Sequence, residues 1–219
     1  MSKTLIAFGC SFTYGDELLD PGIKPGEPCN SRYNDDYRNR HCYAGLVARH
    51  YGFDFVNTAF PGGSLESMRY ALHWAEQHYD LQNTVLIAGI TQAHRNSYFD
   101  QELSGIPWNK FRHSTWLKTD NTSDWVKLDK LWQSLCLSPE WEQFNLFQTV
   151  KTFESINTPT VLLPVFENEP NFESKCKPDF ILQSILDKHD FAPGRHPNEK
   201  GHAKIANRLI EYIDSVKIL

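Results

Sequence analysis

The order of apolar and helical segments predicts an α/β domain, with a parallel sheet held between helices on both faces. Two observations carry this. Four short runs, TLIAFG, FDFVNTAF, NTVLIAGI and TPTVLLPVF, are apolar in the way expected of strands buried on both sides. Between them lie segments with apolar residues at helical spacing, and alternating strands and helices imply parallel strands joined by right-handed crossovers. No repeat or linker interrupts residues 1–219, so a single domain is expected, with insertions near 20–40 and 91–121.

In chain order, the first strand runs from Thr4 to Gly9 and stops at Gly-Cys-Ser. Residues 20–40, rich in Pro, Gly, Asn, Asp and Arg, read as a long loop. CYAGLVARHYG is a helix stopped by Gly52. The second strand, FDFVNTAF, ends at Pro61-Gly62-Gly63, and Ser64 caps a helix with Leu65, Met68, Leu72 and Ala75 along one face. The third strand leads into an irregular stretch, residues 91–121, heavy in Trp, Phe, His and Arg and read as a lid or mini-core with Trp108, Phe111, Trp116 and Trp125. Helices follow over 124–135 and 139–156, then the fourth strand, a helix near 178–188, and a closing amphipathic helix in PNEKGHAKIANRLIEYIDSV.

Composition narrows the function classes. Apolar residues make up 40% of the chain and charged residues 22%, as in soluble globular proteins. A net charge of -5 with no basic run gives no electrostatic ground for nucleic acid or an anionic membrane as partner. No apolar stretch approaches the roughly 20 residues that span a bilayer. No basic segment followed by an apolar core opens the sequence, and the five cysteines form no CxxC pair, so a reducing, cytoplasmic setting is expected. No His or carboxylate cluster recurs at ligand spacing, so neither metal nor cofactor is expected.

Ligands of open α/β sheets bind beyond the carboxyl ends of the strands. That rule places Ser11, Gly62 and Thr91 on one edge, and GRHPN brings His196 just before the last helix. Acyl transfer needs a hydroxyl nucleophile, a base within hydrogen-bond reach and donors aimed at the developing oxyanion. Cys10 precedes Ser11 by one residue, so the two side chains diverge, and burial is its expected fate. His202 is expected to pack or lie at the surface, and His94 and His113 to have ordinary roles.

The order of these pieces resembles the SGNH/GDSL hydrolase superfamily of esterases, lipases and deacetylases. The nucleophile block falls on Gly9-Cys10-Ser11, the second on Asn57-Thr58-Ala59-Phe60-Pro61-Gly62, the third on Gly89-Ile90-Thr91-Gln92 and the last on Pro193-Gly194-Arg195-His196-Pro197. The resemblance implies a flavodoxin-like three-layer αβα sandwich that hydrolyses a small-molecule or carbohydrate ester through an acyl-serine. Ser11 would be the nucleophile and His196 the base, with Gly62, Thr91 and Gln92 around the oxyanion. Arg95 would be a substrate contact or a surface charge.

Two departures from the pattern stand out. Thr91 replaces the third-block asparagine, and loss of one such oxyanion donor costs about 2.7–4 kcal/mol where it has been measured. Pro193 stands where the triad aspartate belongs. Either Asp190, six residues before His196, curls back to orient the imidazole, or a backbone carbonyl does so. These departures also admit a ligand-binding protein without turnover, and the fold equally admits an acyltransferase.

Overall fold

The computed structural model describes residues 2–22, 34–100, 102, 111–113, 123–167 and 171–219. Its centre is a four-stranded parallel sheet of β1 (Thr4–Phe8), β2 (Asp54–Asn57), β3 (Thr84–Ile90) and β6 (Thr160–Pro164), in the order β2-β1-β3-β6. Register is set by Leu5 opposite both Phe55 and Val85, and by Ile87 opposite Val161. Strand order reverses at β1 and β3, and ligand sites of doubly wound folds gather at such a switch point.

Alternation along the strands divides the interior in two. Leu5 and Ala7 of β1, Ile87 of β3 and Val161 and Leu163 of β6 pack against Val47, Ile205 and Leu209. These last three come from α3 (Tyr43–Tyr51) and the closing helix α7 (Glu199–Val216). Ile6 and Phe8, with Leu86, Ala88 and Leu162, face the other way onto Met68, Leu72, Val150 and Phe153. That second layer is built from α4 (Leu65–His78) and α6 (Pro139–Glu154). The predicted three-layer sandwich is what the chain adopts.

The remaining elements decorate its edges: α1 (Ser11–Tyr14), α2 (Asp35–His41), α5 (Asp124–Leu135) and a hairpin of β4 (Ser97–Phe99) and β5 (Phe111–His113). Ser64 caps α4 as expected and forms a reciprocal box with Ser67. Three expectations need correction. Part of the 20–40 segment is helical, at α2, where Asp35 and Asp36 fill the first turn and Arg38, Arg40 and His41 the last. The 91–121 segment carries the β4–β5 hairpin.

No helix forms over 178–188; short 3₁₀ turns at Gln183–Ile185 and Lys188–Asp190 stand there instead. The cause is competition for backbone donors. Leu182 and Gln183 give their N–H groups to the carbonyls of Pro164 and Val165 at the end of β6, so these donors are not available to a helix. Trp108 and Trp116 lie outside the described residues. Among the described residues, no helix is long and apolar enough to cross a membrane.

Candidate active site

Ser11 opens α1 immediately beyond β1, with Cys10 as its fully buried cap residue. Two glycines allow this turn to settle onto the sheet. Gly9 has φ of 152°, and a Cβ there would lie 2.3 Å from Thr13 Oγ1. A Cβ on Gly89, from the neighbouring strand, would lie 2.2 Å from the same oxygen. Thr13 is fully buried and accepts a 2.8 Å hydrogen bond from the Tyr43 hydroxyl. Ser11 keeps 7% of its exposure, at the floor of the strand edge.

Past the α1 turn, Gly15 is left-handed at φ of 83°, and the N–H groups of Gly15 and Asp16 both donate to the Ser11 carbonyl. Glu17 follows at φ of 65°, a left-handed conformation that costs a non-glycine residue energy and clusters at functional sites. This bend turns the Glu17 carboxylate toward the 190–198 loop. His196 Nδ1 lies 2.9 Å from Glu17 Oε2, the His196 backbone N–H donates to the same oxygen at 3.1 Å, and the Gly194 N–H donates to Oε1 at 2.7 Å. A Cβ on Gly194 would stand 2.6 Å from that carboxylate, so glycine is what lets the two chains close.

Burial alone would raise the Glu17 pKa, but the two backbone donors and the imidazole outweigh it and hold the carboxyl below its ordinary value. On the far side of the imidazole, Nε2 is 3.9 Å from Asp16 Oδ2. The Phe12 ring, next in sequence to Ser11, meets the His196 ring edge-on at 5.6 Å. His196 is thus gripped by residues 12, 16 and 17, all within six positions of Ser11.

Asp190 does not orient His196, and neither does a backbone carbonyl of the preceding loop. The Asp190 carboxylate is buried against α7, 2.6 Å from Lys204 Nζ and 3.3 Å from Lys200 Nζ, and it accepts the Asp187 N–H. Burial pushes its pKa up, and Lys204, the Asp187 N–H and Lys200 together bring it down to about 2. The physical reason is the course of the loop. Phe191 and Pro197 bridge, Ala192 N–H bonds the His196 carbonyl, and Asn198 N–H bonds the Asp190 carbonyl. The resulting hairpin puts Asp190 at its base, facing the lysines, and sends His196 toward Glu17.

The oxyanion candidates come from the next two strand ends. Gly62 is left-handed at φ of 76°, and a Cβ on Gly63 would lie 2.8 Å from the Gly9 carbonyl, so this turn rests directly on the end of β1. Asn57 ties it to the Ser11 turn, donating to the Tyr14 carbonyl while accepting from Ala59 N–H. Thr91 is buried, and its hydroxyl has no hydrogen-bond partner among the described residues. Gln92 accepts from Arg95 Nε at 2.9 Å, and the Arg95 guanidinium also lies over the Phe166 ring. Thr91 and Phe166 line a cavity of about 560 Å³ with Phe172 and Phe180, and Phe166 packs edge-on against Phe12.

His202 is buried in packing, its Nδ1 accepting from Tyr43 N–H, and burial lowers its pKa to about 3. His94 is exposed, whereas His113 is fully buried. Among the described residues no cluster of His, Cys, Asp and Glu forms a metal site. Sequence reasoning missed Glu17. Its signal was present as a carboxylate pair, Asp16-Glu17, directly after the glycine that ends the Ser11 turn.

No family model matches this sequence, and no curated protein is similar to it. Among solved structures, the chain is similar to the psychrotrophic esterase EstA from Pseudoalteromonas sp., at a TM-score of 0.52 and 13% identity over 98% of each chain. It is also similar to TesA, at 0.51 and 11% identity over 99% of this chain and 100% of that one. An acetyl xylan esterase from Geobacillus stearothermophilus, Axe2, aligns at 0.48 and 15% identity over 96% of this chain and 94% of its own. The chain has the three-layer αβα fold of the SGNH/GDSL hydrolases.

Proposed function

We propose that the protein is a serine-dependent carboxylic ester hydrolase with Ser11, His196 and Glu17 as its triad. The observation that carries this reading is the carboxylate–imidazole pair built onto the serine's own turn, with Glu17 Oε2 2.9 Å from His196 Nδ1. A carboxylate on Nδ1 fixes the tautomer whose Nε2 accepts a proton, and it stabilises the imidazolium that then forms. His196 takes the Ser11 proton as the hydroxyl oxygen attacks the ester carbonyl. The imidazolium next protonates the departing alcohol, and water releases the acid from the acyl-serine with His196 again as base.

Backbone N–H groups of Ser11 and Gly62 hold the oxyanion, and two side chains stand near the position usually given to asparagine. The buried Thr91 hydroxyl has no hydrogen-bond partner among the described residues, which leaves it as a donor for the oxyanion. The Gln92 carbonyl oxygen is held by Arg95, which leaves its amide nitrogen as the donating end. The substrate class is a small ester, carbohydrate acetates included. Glu17 offers an acid where Pro193 has none, which supports turnover over a binding protein whose grounds were that missing acid and the altered third block. Treatment with a fluorophosphonate and location of the adduct by mass spectrometry tests the reading: a single adduct on Ser11 is expected, and an unlabelled Ser11 overturns it.

A further inference from the structure

The Gly62–Ser64 turn, on which the proposed oxyanion hole depends, is held from two sides. On one side it rests on the end of β1, where Phe60 N–H donates to the Gly9 carbonyl and Gly63 N–H to the Phe60 carbonyl. On the other side stands the β4–β5 hairpin. Ser64 Oγ, already accepting the Ser67 N–H as helix cap, donates to Ser97 Oγ at 2.7 Å. Ser97 Oγ in turn lies 2.7 Å from Nδ1 of His113, its cross-strand partner. The His113 ring is fully buried and packs on Phe60, with centroids 5.3 Å apart.

Ser97 Oγ receives the Ser64 hydrogen, and its own hydrogen runs on to Nδ1 when the ring carries its proton on Nε2, the tautomer this relay requires. Burial, and next the charge of Arg95, lower the His113 pKa to about 4, so the ring is neutral at ordinary pH and can accept.

We propose that Ser97 and His113 are positioning residues: the hydroxyl relay from Ser64 to His113, with the ring seated on Phe60, fixes the oxyanion turn at the edge of the sheet. The inference rests on the ester hydrolase reading of that turn. It gives the insertion between β3 and α5 a task in the reaction. A donor displaced by a fraction of an ångström stabilises the transition state less while leaving ground-state binding largely untouched, so the loss falls on kcat rather than KM.

The test uses the full chain and p-nitrophenyl acetate. Ser97→Ala and His113→Leu are expected to lower kcat about tenfold or more with KM within about twofold. His113→Asn, whose side-chain oxygen replaces Nδ1 as acceptor, is expected to restore kcat to within about threefold. Unchanged kcat in Ser97→Ala, or no rescue by His113→Asn in a folded protein, overturns the inference. Ser11→Ala separates it from the parent reading: activity that survives that change defeats the hydrolase assignment itself. Nitrogen-15 NMR of His113 supplies a readout independent of turnover, expected to show Nδ1 without a proton; a proton on Nδ1 contradicts the relay.

Discussion

Two carboxylates lie at opposite ends of the loop that presents His196, and they have opposite surroundings. Asp190 is close in sequence, fully buried and neutralised by Lys200 and Lys204. Glu17 is 179 residues away, partly exposed, bent into a left-handed conformation and bonded to the imidazole and two backbone N–H groups. Asp190 has the environment of a structural anchor, because its charge is matched by cations and serves the loop's base. Glu17 has the environment expected of the proposed triad acid, because it is strained, partly exposed and bonded to the His196 ring. Proximity along the chain decided neither role. The hairpin at 191–197 did, by turning Asp190 in toward the lysines and His196 out toward Glu17.

The comparison breaks most sharply at Glu17. Glu17→Gln offers an amide where the imidazole needs an anion and is expected to lower kcat by about 10²–10⁴ in an ester hydrolysis assay. Its cost in stability is expected to be small, since the side chain is partly exposed and leaving its strained conformation offsets part of the loss. Asp190→Asn is expected to do the reverse. Losing the buried charge that pairs with the exposed Lys200 and the half-buried Lys204 costs about 1–3 kcal/mol in denaturant unfolding, while kcat stays within about threefold.

Gly194→Ala sharpens the pairing without touching an ionisable group. Its methyl would meet the Glu17 carboxylate at 2.6 Å, so the loop must back away, and kcat is expected to fall about tenfold with KM little changed. The smallest effect concerns acid stability. The Asp190 carboxyl sits at about 2 in the fold against an ordinary 3.8, so its contribution is complete above about pH 4 and lost as pH falls toward 2. Unfolding free energies measured across that window are expected to slope less in Asp190→Asn than in the parent chain.

Much of the fold was legible because burial on both faces leaves a plain mark. TLIAFG, NTVLIAGI and TPTVLLPVF could be little else than interior strands, and Ser64 announced its helix by cap chemistry. The edge-of-sheet rule then placed Ser11, Gly62 and Thr91 together. What stayed hidden depended on competition or on long-range closure. Residues 178–188 carry helical spacing, yet Leu182 and Gln183 find better acceptors at the end of β6. Glu17 looked like one more surface acid after a turn, since nothing local says that the loop at 194–196 will lie across it. His113 read as an ordinary histidine, since its serine partners at 97 and 64 meet it only through the hairpin and the α4 cap.

The account turns on which carboxylate holds the His196 ring, and proton NMR of nitrogen-15-labelled protein reports on that bond directly. The low-field Nδ1–H resonance of His196 should be present in the parent chain and in Asp190→Asn, and should vanish or move far upfield in Glu17→Ala. A resonance that survives Glu17→Ala and disappears in Asp190→Asn would contradict it.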